Sequence, residues 1–377
     1  MDTKKIIKDA KSVLYNNIYV EDEHLATTNR TLFTAHRVIV PSNPYYYGFW
    51  NWDGAFHMIG AALHGDKELA KDQAKALFSL QFGDGMFIDC ARVDGSRVTE
   101  FSKPPVWPWA FRVANEFLEF ENEFLEESFS RLEANIEWWE RERFDGTLFS
   151  YKVHPYESGM DDSPRFDEPF DIENLWAVDA NGFMYSAYKN MAYIAKEIKN
   201  IVAAHAYEEK AEQLKMKINE LLFCEKLGCY CDFDKKSQTF TGHLSPMSFI
   251  LLFAGCADEE KALKMKEIAQ NPEMFFDGMP TISYDNPCFE AALFWRGPCW
   301  LNTAYFAIRG LANYGFLELS LTYCKRILSW IEDCGFWEYY DTKRNCGIGQ
   351  ENFGWSSVFG ALFVLLYREL GGEDTIS

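Results

Sequence analysis

Apolar residues recur along this chain on the period of an α-helix. Ile194, Ile198, Ile201 and Val202 step by four, three and one; Ala211, Leu214, Ile218, Leu221 and Leu222 repeat the pattern, and Leu317, Leu321, Cys324, Leu328 and Ile331 do so again. Each set is a stripe on one helical face that must find a core to pack against. Asp66 ahead of Lys67-Glu68-Leu69-Ala70 reads as an N-cap, its carboxylate placed to accept an unsatisfied N–H of the first turn. Alternation of period two is scarce. Val38-Ile39-Val40-Pro41 and Gly228-Cys229-Tyr230-Cys231-Asp232 are the stretches that read as short strands. The pattern predicts an all-α chain of roughly a dozen helices. Loops rich in Gly, Pro, Trp and acidic residues separate them, at 43–53, 83–85, 102–109, 156–170, 278–300 and 337–355. Recurring polar-aromatic loops between helical hairpins imply that many of them share one rim.

No Gly-Ser linker or low-complexity tract divides the 377 residues, so they read as a single domain over 1–377, with 1–40 as an N-terminal helix and lead-in. The formal net charge of −20 repels nucleic acid and anionic membranes, and neither is expected as a partner. The N-terminus lacks an apolar signal region and no apolar run approaches membrane-spanning length. Ten cysteines without such a signal imply reduced thiols in a cytoplasm. Cys224, Cys229 and Cys231 lack paired zinc-site spacing, and none of the seven histidines forms H-E-x-x-H, so no metal and no cofactor are expected. Aromatic residues make up 17% of the chain, with twelve Trp, more than a core of this size requires. Most must be core; several can form a stacking wall for sugar rings, since they join apolar area to a polar tip.

The densest chemistry lies in Glu157-Ser158-Gly159-Met160-Asp161-Asp162-Ser163-Pro164-Arg165, which packs acids, Arg, Gly and Pro too closely for a core helix or strand. An Asp pair alone reads equally as a solvated turn or a helix cap. Here Pro164 restricts the backbone, Gly159 permits a tight approach, and Arg165 is placed to orient a carboxylate or bind a hydroxyl. Like charges held together raise one another's pKa, which suits a proton donor. A second polar-aromatic stretch, Trp337-Glu338-Tyr339-Tyr340-Asp341 with Gln350-Glu351-Asn352-Phe353-Gly354-Trp355, lies far downstream. Two carboxylates from distant loops, with aromatics beside both, point to glycosidic bond hydrolysis.

These segments resemble a known clan. Glu157 to Asp161 with Ser163 and Arg165 is similar to the E-S-G-W-D-x-S-x-R motif of trehalases, and more so to the S-G-x-D-D-S-P-R form of the processing α-glucosidases and mannosylglycerate hydrolases. Phe353-Gly354-Trp355-Ser356 resembles the clan's F-G-W-[ST], and Trp295-Arg296-Gly297-Pro298-Cys299-Trp300 its W-R-G-P-x-W. The run from Tyr47 to Phe56, centred on Trp52-Asp53, resembles Y-x-x-x-W-x-W-D. Pro104-Pro105-Val106-Trp107 resembles Q-P-P-V-W, with Lys103 where Gln is usual. The five segments follow the clan's order across most of the chain.

The resemblance implies an (α/α)6 barrel of six inner and six outer helices with the pocket at one end, and an inverting α-glycosidase. It places the catalytic acid on Asp161. Its E-x-Y-D segment places the base on Glu338, with Glu351 as the rival position. An inverting pair stands about 6.5–9.5 Å apart to admit a water, and Glu338 is expected to titrate low, as an ionised base. Trp52, Trp107, Trp295 and Trp355 are expected to shape the sugar site, and Asp53, Arg165, Arg296 and Glu351 to bind its hydroxyls. Core packing competes for Trp52 and Trp355, helix capping for Asp53 and for Asp179, and His57 is expected to pack inside its helix. The R-x-P-G-G-R stretch of trehalases is missing, which argues against trehalose, and no segment matches the β-sandwich of larger relatives. A small carbohydrate is the expected partner. Two other readings stand: a sugar epimerase or isomerase on the same barrel, which would use His as acid and base, and a carbohydrate-binding protein without catalysis.

Overall fold

The computed structural model describes residues 1–20 and 37–374. Much of the expected 1–40 lead-in thus lies outside the described residues. Among those described run twelve α-helices: α1 Thr3–Asn16, α2 Asn51–Leu63, α3 Lys67–Ser79, α4 Trp107–Leu118, α5 Asn122–Arg143, α6 Val178–Glu197, α7 Ile201–Leu221, α8 Ile250–Phe253, α9 Glu259–Ala269, α10 Leu301–Asn313, α11 Leu317–Cys334 and α12 Gly354–Glu369.

Burial sorts them into two layers. Most of the even-numbered helices are buried on nearly every side; α2 buries every residue from Asn51 to Ala62, and α12 all but a few, while α4 keeps Arg112 and Glu116 in solvent. A helix without a polar face needs neighbours all round. These six therefore pack side by side in the order α2, α4, α6, α8, α10, α12 and back to α2, closing a ring. The odd-numbered helices are amphipathic and lie outside. In α7 the buried set is Ala204, Tyr207, Ala211, Leu214 and Ile218, one stripe facing α6. Tyr323 of α11 donates to the Ala269 carbonyl of α9 at 2.7 Å, tying two outer helices together. The result is the expected (α/α)6 barrel.

Local signals behave as their chemistry dictates. Asp66 caps α3 by accepting from Leu69 N at 2.9 Å. The strand Arg37–Ile39 pairs antiparallel with Ile18–Val20, and Cys229–Tyr230 with Phe223–Cys224. One periodic stripe is broken. Ile194 and Val202 lie on different helices, because α6 ends at Glu197, Lys199 takes a left-handed φ of 59°, and Asn200 caps α7 by accepting from Ala203 N. Ile201 and Val202 begin the outer helix with their side chains in solvent, 54% and 83% exposed. The step of four, three and one matched helical spacing by coincidence across a hairpin turn.

Candidate active site

A cavity of about 680 Å³ opens at the end of the barrel where the inner helices begin, a size typical of small-ligand sites. Its wall takes Trp52 and Asp53 from the first turn of α2, Lys103 from the loop before α4, and Asp161 from the loop before α6. Trp295 and Trp300 come from the loop before α10, and Trp355 from the first turn of α12. Five of the six polar-aromatic loops thus meet at one rim. The sixth, 83–85, does not line it: Gly85 packs against the backbone of Ala134 on α5.

The Asp161 loop is held from both sides. Upstream, Glu157 is buried and pinned by Arg143 Nε at 2.8 Å and Val153 N at 2.5 Å. Paired with Arg143, it does not line the cavity. Gly159 adopts φ 76°, where an added methyl would press on the Trp52 indole at 3.2 Å. Downstream, Asp162 accepts from Trp295 N, and the Asp162 carbonyl accepts from Arg296 Nη1, each at 2.9 Å. Burial is the main cause of the upward shift of the Asp162 carboxyl, and the charge of Asp161 adds only a little to it. The side chain of Asp161 itself remains 29% exposed, facing the cavity.

Glu338 reaches the same cavity from a β-hairpin, Trp337–Asp341 paired with Cys346–Glu351. The register slips between Trp337 and Tyr339, so Glu338 sits on a β-bulge, a device that re-aims a side chain. Gly349 makes the approach possible: at φ 81°, its added methyl would overlap the Glu338 carboxyl. Tyr46 Oη donates to Glu338 Oε1 at 3.1 Å and Gln350 N to Oε2 at 3.0 Å. The carboxyl is nonetheless pushed up. Desolvation outweighs both hydrogen bonds, and Asp161 adds repulsion. The expectation of a low-titrating base thus fails, because a 5% exposed carboxylate loses more hydration than two donors return.

Beside Asp161 lies a cluster that no motif announced. Lys103 Nζ stands 3.6 Å from Asp161 Oδ1 and 3.5 Å from Asp89 Oδ1, and donates to the Tyr156 carbonyl. Burial pushes Asp53 and Asp89 up, against the pull of Lys103. The ammonium of Lys103 stays charged: burial alone would lower it, but Asp89, Asp161 and Asp53 together raise it. Only the Lys103-for-Gln departure signalled this cluster in sequence; Asp89 and Tyr46 carry no motif of their own.

Trp52, Asp53, Trp295 and Trp355 line the cavity. Trp52 Nε1 and Trp355 Nε1 are buried there without a protein acceptor. Trp295 stacks on Trp300 at 3.7 Å, a rigid aromatic wall. Four other expected contacts lie elsewhere. Trp107 is buried and donates to Asn51 Oδ1 at 2.8 Å. Arg165 is fully buried and forks onto Asp179 and Asp232, with four N···O distances of 2.7–2.9 Å. Two carboxylates take four of its five N–H groups, and the Met160 thioether lies 3.8 Å from Nη1, so it anchors the Asp161 loop rather than meeting sugar. Asp179 is likewise committed to Arg165. Arg296 is held by Asp167, and Glu351 points into solvent opposite Trp337. His57 is buried within α2, its pKa lowered to about 3 by desolvation.

A family model described as the mannosylglycerate hydrolase MGH1-like glycoside hydrolase domain matches residues 45–356, from the tyrosines at the cavity mouth to the first turn of α12. The chain belongs to that family. It is therefore a glycoside hydrolase, with trehalase-like relatives. It is 26% identical over 395 residues to the mannosylglycerate hydrolase of Rubrobacter radiotolerans, covering 82% of this chain and 89% of the relative. Its backbone superposes on the GH63 mannosylglycerate hydrolase of Thermus thermophilus with a TM-score of 0.81 at 23% identity, over 95% and 99% of the two chains. It superposes on the neutral trehalase of Saccharomyces cerevisiae with a TM-score of 0.69 at 18% identity, over 89% and 75%. Among the described residues, no cluster of His, Cys, Asp or Glu is arranged to hold a metal ion, and no helix is long and apolar enough to cross a membrane.

Proposed function

We propose that this glycoside hydrolase cleaves an α-linked mannoside or glucoside, of the short glycosyl-glycerate kind, with inversion at the anomeric carbon, as one catalytic domain. The observation that carries the reading is the convergence of Asp161 and Glu338, from a loop and from a bulged hairpin, on one aromatic-walled cavity. Asp161 protonates the glycosidic oxygen as the bond from C1 breaks. A water attacks C1 from the opposite face and gives its proton to the Glu338 carboxylate. The sugar leaves as the β-anomer, the leaving group leaves as a free alcohol, and exchange with solvent resets both acids. Trp52, Trp295 and Trp355 enclose the sugar ring, and Asp53 with the free indole N–H groups of Trp52 and Trp355 takes its hydroxyls.

The glycerate preference rests on the names of the relatives and on the Thermus structures that hold glucose or D-glycerate. The isomerase reading is less favoured, because the cavity wall includes His154 but no histidine pair. The test is to incubate the protein with mannosylglycerate, glucosylglycerate, trehalose and aryl α-glycosides, following the anomeric protons by nuclear magnetic resonance. Release of β-mannose or β-glucose before mutarotation is expected, with trehalose a poor substrate. Release of the α-anomer first would refute inversion, and binding without turnover would favour the sugar-binding reading.

A further inference from the structure

The mechanism above leaves a buried ammonium unused. Lys103 is 8% exposed, yet it belongs to no helix cap and no outer ion pair. It stands between two carboxylates, Asp89 Oδ1 at 3.5 Å and Asp161 Oδ1 at 3.6 Å, with Asp53 as a third influence. Asp89 Oδ1 is buried without a hydrogen-bond partner, so at this distance its hold on Lys103 is a charge interaction. The two acids therefore compete for one cation.

We propose that Lys103 and Asp89 are a positioning pair that sets how readily Asp161 gives up its proton, and so the pH at which the enzyme loses its proton donor. This rests on Asp161 being the catalytic acid. An opposite charge within a few ångströms favours the ionised carboxylate, so an ammonium beside a proton donor works against it at high pH. Asp89 tempers that effect by drawing the same ammonium away. The other groups facing Asp161 are Glu338 across the cavity, with Tyr46 on it; Asp53 on α2; and the neighbouring Asp162, itself tied to Trp295 N and Arg296. Arg92 acts on Asp89 from the adjoining strand. Asp53 also acts on Asp89, but as an acid; among the described residues, Lys103 is the cation that stands within 4 Å of both Asp161 and Asp89. In the motif that the sequence resembles, this position is Gln, a neutral residue that imposes no such pull.

The experiment compares pH profiles of kcat/KM for the parent, Lys103→Gln and Asp89→Asn. The substrates are mannosylglycerate and α-mannosyl fluoride, or the glucosyl counterparts if glucose is the sugar accepted. With the glycerate substrate, Lys103→Gln should move the alkaline limb up by about one pH unit, since Asp161 keeps its proton longer. Asp89→Asn should move it down, since Lys103 then leans wholly on Asp161. With the fluoride, whose departure needs no proton, neither shift should appear. Limbs that move together, stay fixed, or shift equally with the fluoride overturn the proposal. If Lys103→Gln is recovered unfolded by circular dichroism, the sign of the Asp89→Asn shift decides alone. If Asp161→Asn keeps parental activity, the assignment of the acid fails, and this inference falls with it.

Discussion

Tyr46 Oη donates a 3.1 Å hydrogen bond to Oε1 of Glu338, joining a loop at residue 46 to a hairpin some three hundred residues later. Burial raises the Glu338 carboxyl, while this bond and the one from Gln350 N lower it. Removing the hydroxyl leaves burial less opposed. A base acts only when ionised, so activity is present above its folded pKa and lost as pH falls through it. Tyr46→Phe should therefore move the acid limb of kcat/KM to higher pH by about one unit, the worth of one hydrogen bond to a charged group. A limb that stays in place would show that the hydroxyl does not bear on Glu338.

Asp161→Asn and Glu338→Gln keep shape and remove the ability to give or take a proton. Each should lower kcat by about 10²- to 10⁴-fold with unchanged circular dichroism. An α-glycosyl fluoride should restore much of the Asp161→Asn rate and none of the Glu338→Gln rate, because only the latter lacks water activation. Equal rescue of both would reverse the assignment.

Glu351→Gln should retain most of the parental kcat and KM, since that side chain faces solvent on the far strand of the hairpin. Steady-state kinetics decides this directly. Loss of activity here, with Glu338→Gln active, would move the base to Glu351.

Arg165→Met leaves Asp179 and Asp232 as uncompensated buried charges. Breaking a buried pair by removing one partner typically costs about 3–5 kcal/mol, and denaturant melts should show a loss on that order. A variant as stable as the parent but with a raised KM would return Arg165 to the substrate site.

Much of this was legible in the chain. Helices with a 3.6-residue stripe and loops dense in Trp and acids pointed to a helical barrel with a shared rim, because burial and solvation act on every segment locally. The carboxylates at 161 and 338 stood out for the same reason: acids amid aromatics in a loop have no local use. What sequence alone determined was therefore which segments are helices and which residues carry chemistry. Only tertiary packing decided what each charge meets. Arg165 and Arg296 looked alike as loop arginines beside acids, yet one is consumed by Asp179 and Asp232 and the other by Asp167. Asp89 and Asp161 lie far apart in sequence, yet they share the Lys103 ammonium. Glu338 takes its aim from a bulge and from the missing side chain of Gly349, and its titration from desolvation. Burial and charge pairing are properties of an assembled cavity, so they become visible only once the six inner helices close the ring and bring their leading loops together.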